Sequence, residues 1–155
     1  MLDHGINNTK KKMAAIQELI GASVKGKDGD VETGSFTGEG KVVGLYFSAH
    51  WCPPCRGFTP ALAEKYTKWK QAGANFEIVF ISSDRDAESF EEYFKEMPWL
   101  ALDFSKRDLK GTCSQKYGIS GIPSLIILNG STGEVISKNG RGDVMGNEDF
   151  PASWK

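Results

Sequence analysis

The sequence predicts an α/β fold, a central mixed β-sheet flanked by helices, with an N-terminal helix and β-hairpin extension. Three observations predict it. "KVVGLYF" (Lys41 to Phe47) and "FEIVFISSD" (Phe76 to Asp84) contain nearly continuous apolar runs of β-forming residues, the pattern of strands buried on both faces of a sheet. Each run is followed by apolar residues at helical spacing, which gives the order strand, helix, strand, helix. "SLIIL" and "EVISK" then flank "NGSTG" as an antiparallel hairpin would, and this makes the sheet mixed.

Met13, Ile16, Leu19 and Ile20 fall on one helical stripe. "KGKDGD", with its Asp28-Gly29 pair, predicts a hairpin turn between short strands around Val24 and Val31. Lys41 to Phe47 is the expected central strand. Phe58, Leu62, Tyr66 and Trp69 recur at helical spacing, so a helix is expected from about Pro53 to Gln71, kinked at Pro60, which lacks a backbone donor. The strand over Phe76 to Asp84 leads to a helix carrying Phe90, Tyr93, Phe94 and Met97 on one face. A third helix places Leu109, Cys113 and Tyr117 together, which reads Cys113 as a buried, inert thiol. Trp99 reads as packing. The expected organisation is one domain over 1–155, with a lead-in helix in 1–20 and the domain core in 21–150.

A chain of 155 residues with 39% apolar side chains can build its own core. Nineteen basic and twenty acidic side chains leave a formal net charge of −1, so no global field attracts nucleic acid or an anionic membrane. The lysine run in "TKKKM" reads as a solvated face. No apolar segment has the length of a signal peptide or a membrane span. Three cysteines, an odd number, do not suit a disulfide-stapled secreted fold. The expected setting is therefore the cytoplasm, with the nucleus open, and the expected state a monomer. The sequons at Asn7 and Asn129 and the "RGD" at Arg141 carry no weight there.

"SAHWCPPCRGFTP" sets Cys52 and Cys55 where a buried strand turns into a helix. Sites of open α/β sheets lie at the carboxyl ends of strands, and a helix start offers unpaired N–H groups with partial positive charge. Cys52 is thus placed to be a thiolate. Cys55 lies one turn along the same face, close enough for a disulfide with little backbone movement. Pro53 and Pro54 fit a first helical turn, where a missing N–H loses no intrahelical bond. A structural zinc site needs four ligands, and only Cys113, His4 and His50 remain to complete one. A permanent disulfide across so few residues would constrain little of the unfolded chain. The pair reads as a redox couple, with no metal and no cofactor.

"YFSAHWCPPCRGFTP", "EIVFISSDRDAESFEEYFKEMPWLAL", "YGISGIPSLIIL" and "GEVISKNGR" together resemble the tryparedoxin and nucleoredoxin branch of the thioredoxin-like superfamily, over about Gly21 to Arg141. The resemblance implies a thioredoxin-like fold, dithiol-disulfide exchange with protein disulfides as substrates and an upstream thiol as reductant, and a cis-proline at Pro123 facing the cysteine pair. It also implies the alternative of a redox-sensitive binding module of nucleoredoxin type with little turnover. Trp51, Ile122 and Pro123 are the expected substrate platform, Cys52 the nucleophile and Cys55 the resolving thiol.

Thioredoxins place a buried aspartate six residues before the first cysteine, where this chain has Tyr46. Asp84 is a candidate substitute base, with an N-cap of the following helix as its favoured role. Ser83 stands where tryparedoxins tend to have tryptophan, which weighs against trypanothione as reductant. "FPASWK" resembles the branch's Phe-Pro-Trp ending, with Trp154 displaced by two inserted residues. Arg56 and, by resemblance, Arg141 are candidates to supply positive potential near Cys52. A surface arginine without a role is the equal alternative for each. His50 reads as an exposed loop residue.

Overall fold

The computed structural model describes residues 15–146. Met13, the lysine run, His4, Asn7 and Trp154 lie outside the described residues. Helical residues 15–20 (α1) lead into β1 (Ser23–Lys25) and β2 (Asp30–Glu32), the expected hairpin, in which Val24 pairs with Val31. The chain continues through β3 (Val42–Ser48), α2 (Pro53–Gln71), β4 (Phe76–Ser82), α3 (Ala87–Phe94), β5 (Leu100–Ala101) and α4 (Arg107–Lys116). It ends with β6 (Ser124–Asn129), β7 (Val135–Ser137) and α5 (Gly140–Gly146).

These strands form one seven-stranded sheet in the order β2-β1-β5-β4-β3-β6-β7. β3 pairs parallel with β4 and antiparallel with β6, so the expected central strand is central. Side-chain alternation explains why these strands read as unbroken apolar runs. Tyr46, Ile78, Phe80, Leu125 and Ile127 enter one core with Phe58 and Leu62 of α2 and Phe90 and Tyr93 of α3. Val43, Leu45, Phe47, Val79, Ile81, Ile126 and Leu128 enter the other, with Ile16 and Ile20 of α1 and Cys113 of α4. Helices cover both faces, as the sequence predicts.

Trp99 packs edge-on against Tyr46 and Tyr66, with ring centroids 5.7 and 5.6 Å away, and is fully buried. α2 runs over the expected residues and continues through Pro60, which removes the donor that would reach the carbonyl of Arg56. β5 and α5 have no counterpart in the sequence reading. β5 is two residues long, yet it joins the β1-β2 hairpin to the sheet by pairing with both β1 and β4. α5 lies directly on β6, where a Cβ added at Gly140 would meet the Leu125 carbonyl oxygen at 2.6 Å.

Candidate active site

Three chain segments meet at one end of the sheet because of its register. β3 and β4 run parallel, with Ser48 opposite Ser82, so the loops that follow them lie side by side. The Ser83 N–H donates to the Ser48 carbonyl at 2.9 Å and fixes that alignment. β6 runs antiparallel to β3 with Ser124 opposite Phe47, which brings Ile122 and Pro123 to the same end. The Ile122–Pro123 peptide is cis, as the resemblance implies.

Cys52 is the N-cap of α2, with Pro53 and Pro54 in the first turn, and its backbone N–H donates to the Ala49 carbonyl at 3.2 Å. It therefore occupies the positive end of a 19-residue helix, a position that favours an anion. The Cys55 thiol points back at Cys52, Sγ to Sγ 2.6 Å, and both cysteines are free. The Cys52 thiol also lies 3.7 Å from the Ile122 carbonyl oxygen. Ala49, Cys52, Cys55 and Ile122 form a small apolar cluster of their own.

Cys55 has no exposed surface, and burial pushes its thiol up from 9.0 to about 11. The hydrogen bond to Cys52 adds to this rise, while Ser48 and the Ala49 backbone oppose it. Cys113 is also buried, with Sγ 3.3 Å from the Leu19 carbonyl oxygen, and burial pushes it to about 11. Iodoacetamide at neutral pH should therefore modify Cys52 first, with Cys55 and Cys113 labelled only towards alkaline pH or after unfolding. Mass spectrometry across pH reads this directly, and early modification of Cys55 or Cys113 contradicts it. The same burial sets a sign for stability. Above pH 9 the unfolded chain loses thiol protons that the folded chain keeps, so stability should fall from about pH 9 to about pH 11 and be intact below that window. Urea unfolding under reducing conditions should show that fall, reduced in Cys113→Ala.

Asp84 corrects the sequence reading. The N-cap of α3 is Asp86, whose Oδ1 accepts the Ser89 N–H at 2.7 Å, an arrangement that also lowers the Asp86 pKa. Asp84 is instead buried, accepting the His50 backbone N–H at Oδ1 (2.8 Å) and the Ser82 hydroxyl at Oδ2 (2.6 Å). It ties the loop after β3 to the end of β4. His50 is held rather than loose, its ring stacked on Tyr93 at 5.0 Å and its Nε2 3.4 Å from a Glu96 carboxylate oxygen. Trp51 is half exposed, and its indole N–H donates to the Ser83 carbonyl at 3.0 Å. Arg56 and Asp84 line a cleft of about 350 Å³ beside Trp51 and His50. Arg141 does not line it; its guanidinium lies 6.0 Å from the ring centroid of Phe58.

Sequence reasoning missed a buried hydroxyl cluster behind the cysteines. Tyr46 OH meets Thr59 Oγ1 at 2.6 Å, Thr59 Oγ1 meets Tyr93 OH at 2.5 Å, and Tyr93 OH meets Ser48 Oγ at 2.8 Å. Burial raises the pKa of both tyrosines, so these hydroxyls remain protonated beside Cys55. Arg107 was missed too. It bonds the carbonyls of Phe104 (2.5 Å) and Ser82 (2.8 Å), which fastens α4 to the end of β4. Helical spacing gave no signal for either, because their partners come from separate elements.

The thioredoxin-like family model matches residues 40–135. The chain belongs to the thioredoxin-like family. Within this oxidoreductase family it is 54% identical to human nucleoredoxin over 111 residues, covering 72% of this chain and 25% of that protein. It thus spans about a quarter of the length of the nucleoredoxins it matches. It is 47% identical to tryparedoxin of Trypanosoma brucei brucei over 123 residues, 79% of this chain and 83% of that protein. The solved structure of Trypanosoma brucei tryparedoxin superposes with a TM-score of 0.81 at 41% identity, covering 89% of this chain and 95% of that one. Cys52 and Cys55 lie beside each other, consistent with a dithiol motif. Among the described residues, no three of His, Cys, Asp or Glu are grouped as a metal site requires, and no helix is long and apolar enough to cross a membrane.

Proposed function

We propose that this protein reduces disulfides in protein substrates through the Cys52/Cys55 couple. The observation that carries the reading is the pair itself: two free, buried thiols 2.6 Å apart at the start of α2, the inner one with no exposed surface and the outer one, at the helix end, with 5%. The Cys52 thiolate attacks one sulfur of the substrate disulfide. That bond breaks, one substrate thiolate leaves and takes a proton from water, and a mixed disulfide forms on Cys52. Cys55 then gives up its proton and attacks the Cys52 sulfur. The second substrate thiol departs, and the Cys52–Cys55 disulfide retains the two-electron oxidation until an upstream thiol reductant reverses it.

Burial of Cys55 keeps it protonated while Cys52 waits, and this favours ordered attack over premature closure. Trp51 and Ile122 flank the reacting sulfur with apolar surface, and the Ile122 N–H makes no hydrogen bond among the described residues. An extended substrate strand could pair there through its main chain, which suits a site that accepts many sequences.

Reduction of insulin by dithiothreitol, followed by turbidity, tests the reading. Wild type should accelerate precipitation, and Cys52→Ser should fall to the uncatalysed rate. If wild type itself gives only the uncatalysed rate, a redox-sensitive binding module is the correct description.

A further inference from the structure

The cleft beside Trp51 has a charge pattern that disulfide exchange alone does not require. His50, Trp51, Arg56, Asp84, Arg85 and Asp86 line its roughly 350 Å³. Of its two acids, Asp84 is only 6% exposed and uses both oxygens on the His50 N–H and the Ser82 hydroxyl, while Asp86 is exposed and caps α3 through Oδ1 alone. Its two guanidinium groups are not committed. Arg56, in the first turns of α2, and Arg85, in the loop after β4, are both exposed, and neither side chain makes a hydrogen bond or ion pair among the described residues. Arg107 shows the contrast, with two of its nitrogens held by backbone carbonyls.

We infer that this cleft is a subsite for carboxylate side chains flanking the reactive disulfide of a protein substrate, read by Arg56 and Arg85. The inference rests on the exchange reading above and names the substrate class that the exchange prefers. A guanidinium presents parallel N–H donors in a plane that matches a carboxylate, whereas an ammonium offers only a point charge. Arg56 lies four residues past Cys52, about one helical turn, so a carboxylate it binds sits within a residue or two of the attacked sulfur. Arg85 follows Asp84, whose bonds anchor that loop to the one bearing Trp51, so the two positive groups stand on a supported frame.

Three peptide disulfides of equal length, with Glu, Gln or Lys beside the cysteine, test the inference through kcat/KM in dithiothreitol-driven reduction after subtraction of the uncatalysed rate. The Glu peptide should exceed the Gln peptide by roughly three- to tenfold at low salt, with the Lys peptide below both. The margin should shrink in about 1 M salt, where screening acts within ~3 Å. Arg56→Gln/Arg85→Gln should bring the Glu-to-Gln ratio to about one, and Arg56→Lys/Arg85→Lys should give an intermediate ratio. Each ratio is read within one variant, so any change in Cys52 reactivity cancels. Equal rates on the Glu and Gln peptides, a preference for Lys, or a ratio that survives the double Gln variant would overturn the subsite while leaving exchange intact. Failure of wild type to turn over any of the three peptides would overturn the exchange reading and the subsite with it.

Discussion

Cys55→Ser should accumulate a covalent adduct with protein disulfide substrates through Cys52, and Cys52→Ser should accumulate none. The asymmetry follows from placement. Cys52 sits at the helix end, against Ile122, with 5% of its surface exposed, whereas Cys55 has none and touches Cys52 alone of the other cysteines. Removing Cys55 leaves the first attack intact and deletes the intramolecular thiol that completes the exchange. Release must then wait for an external thiol, whose concentration is far below that of a sulfur held 2.6 Å away. Non-reducing gels after incubation with an oxidised protein should show a shifted band for Cys55→Ser and none for Cys52→Ser. Equal trapping by the two variants would mean that the roles are wrong.

Asp84→Ala should destabilise the protein by about 2 to 4 kcal/mol, because it orphans two donors, the His50 N–H and the Ser82 hydroxyl. Arg107 loses a nearby opposite charge as well, since Asp84 is the largest of its favourable charge interactions. Asp84→Asn should cost less, as its amide oxygen can still accept from His50. Urea denaturation distinguishes the two variants, and equal stability of wild type and Asp84→Ala would remove Asp84 as the tie between the two loops. Loosening that tie should also lower turnover, since Trp51 and Cys52 follow His50 directly.

Much of this scaffold is legible in the sequence because local patterns carried it. Lys41 to Phe47 and Phe76 to Asp84 read as doubly buried strands, and they locate β3 and β4, the latter ending at Ser82; alternate side chains of both feed two separate cores. The step from strand to Cys52 to a proline-started helix is also local, and it fixes the placement of the cysteine pair. What was not legible depends on distant partners. In "SSDRDAESF" the end of the strand favours Asp84 as the cap of α3 by sequence alone. The backbone N–H of His50, 34 residues away, claims Asp84 and leaves the cap to Asp86. β5 is too short to show a period, and α5, "GRGDVMG", contains three glycines that propensity argues against. Tyr46, Ser48, Thr59 and Tyr93 share their hydroxyl cluster only after β3, α2 and α3 have packed. Tyr46 of that cluster occupies the position that the resemblance to thioredoxins assigns to a buried aspartate, so a buried hydroxyl stands there in place of an acid.

The most direct test of the central claim is a single turnover with the pre-reduced protein and an excess of an oxidised protein substrate, with no other thiol present. Free substrate thiols would be counted, and the cysteines of this chain mapped by mass spectrometry. One Cys52–Cys55 disulfide should form for every two substrate thiols released, with Cys113 still reduced. Release of no substrate thiol, or a wild-type mixed disulfide that persists without closing onto Cys55, would contradict the account.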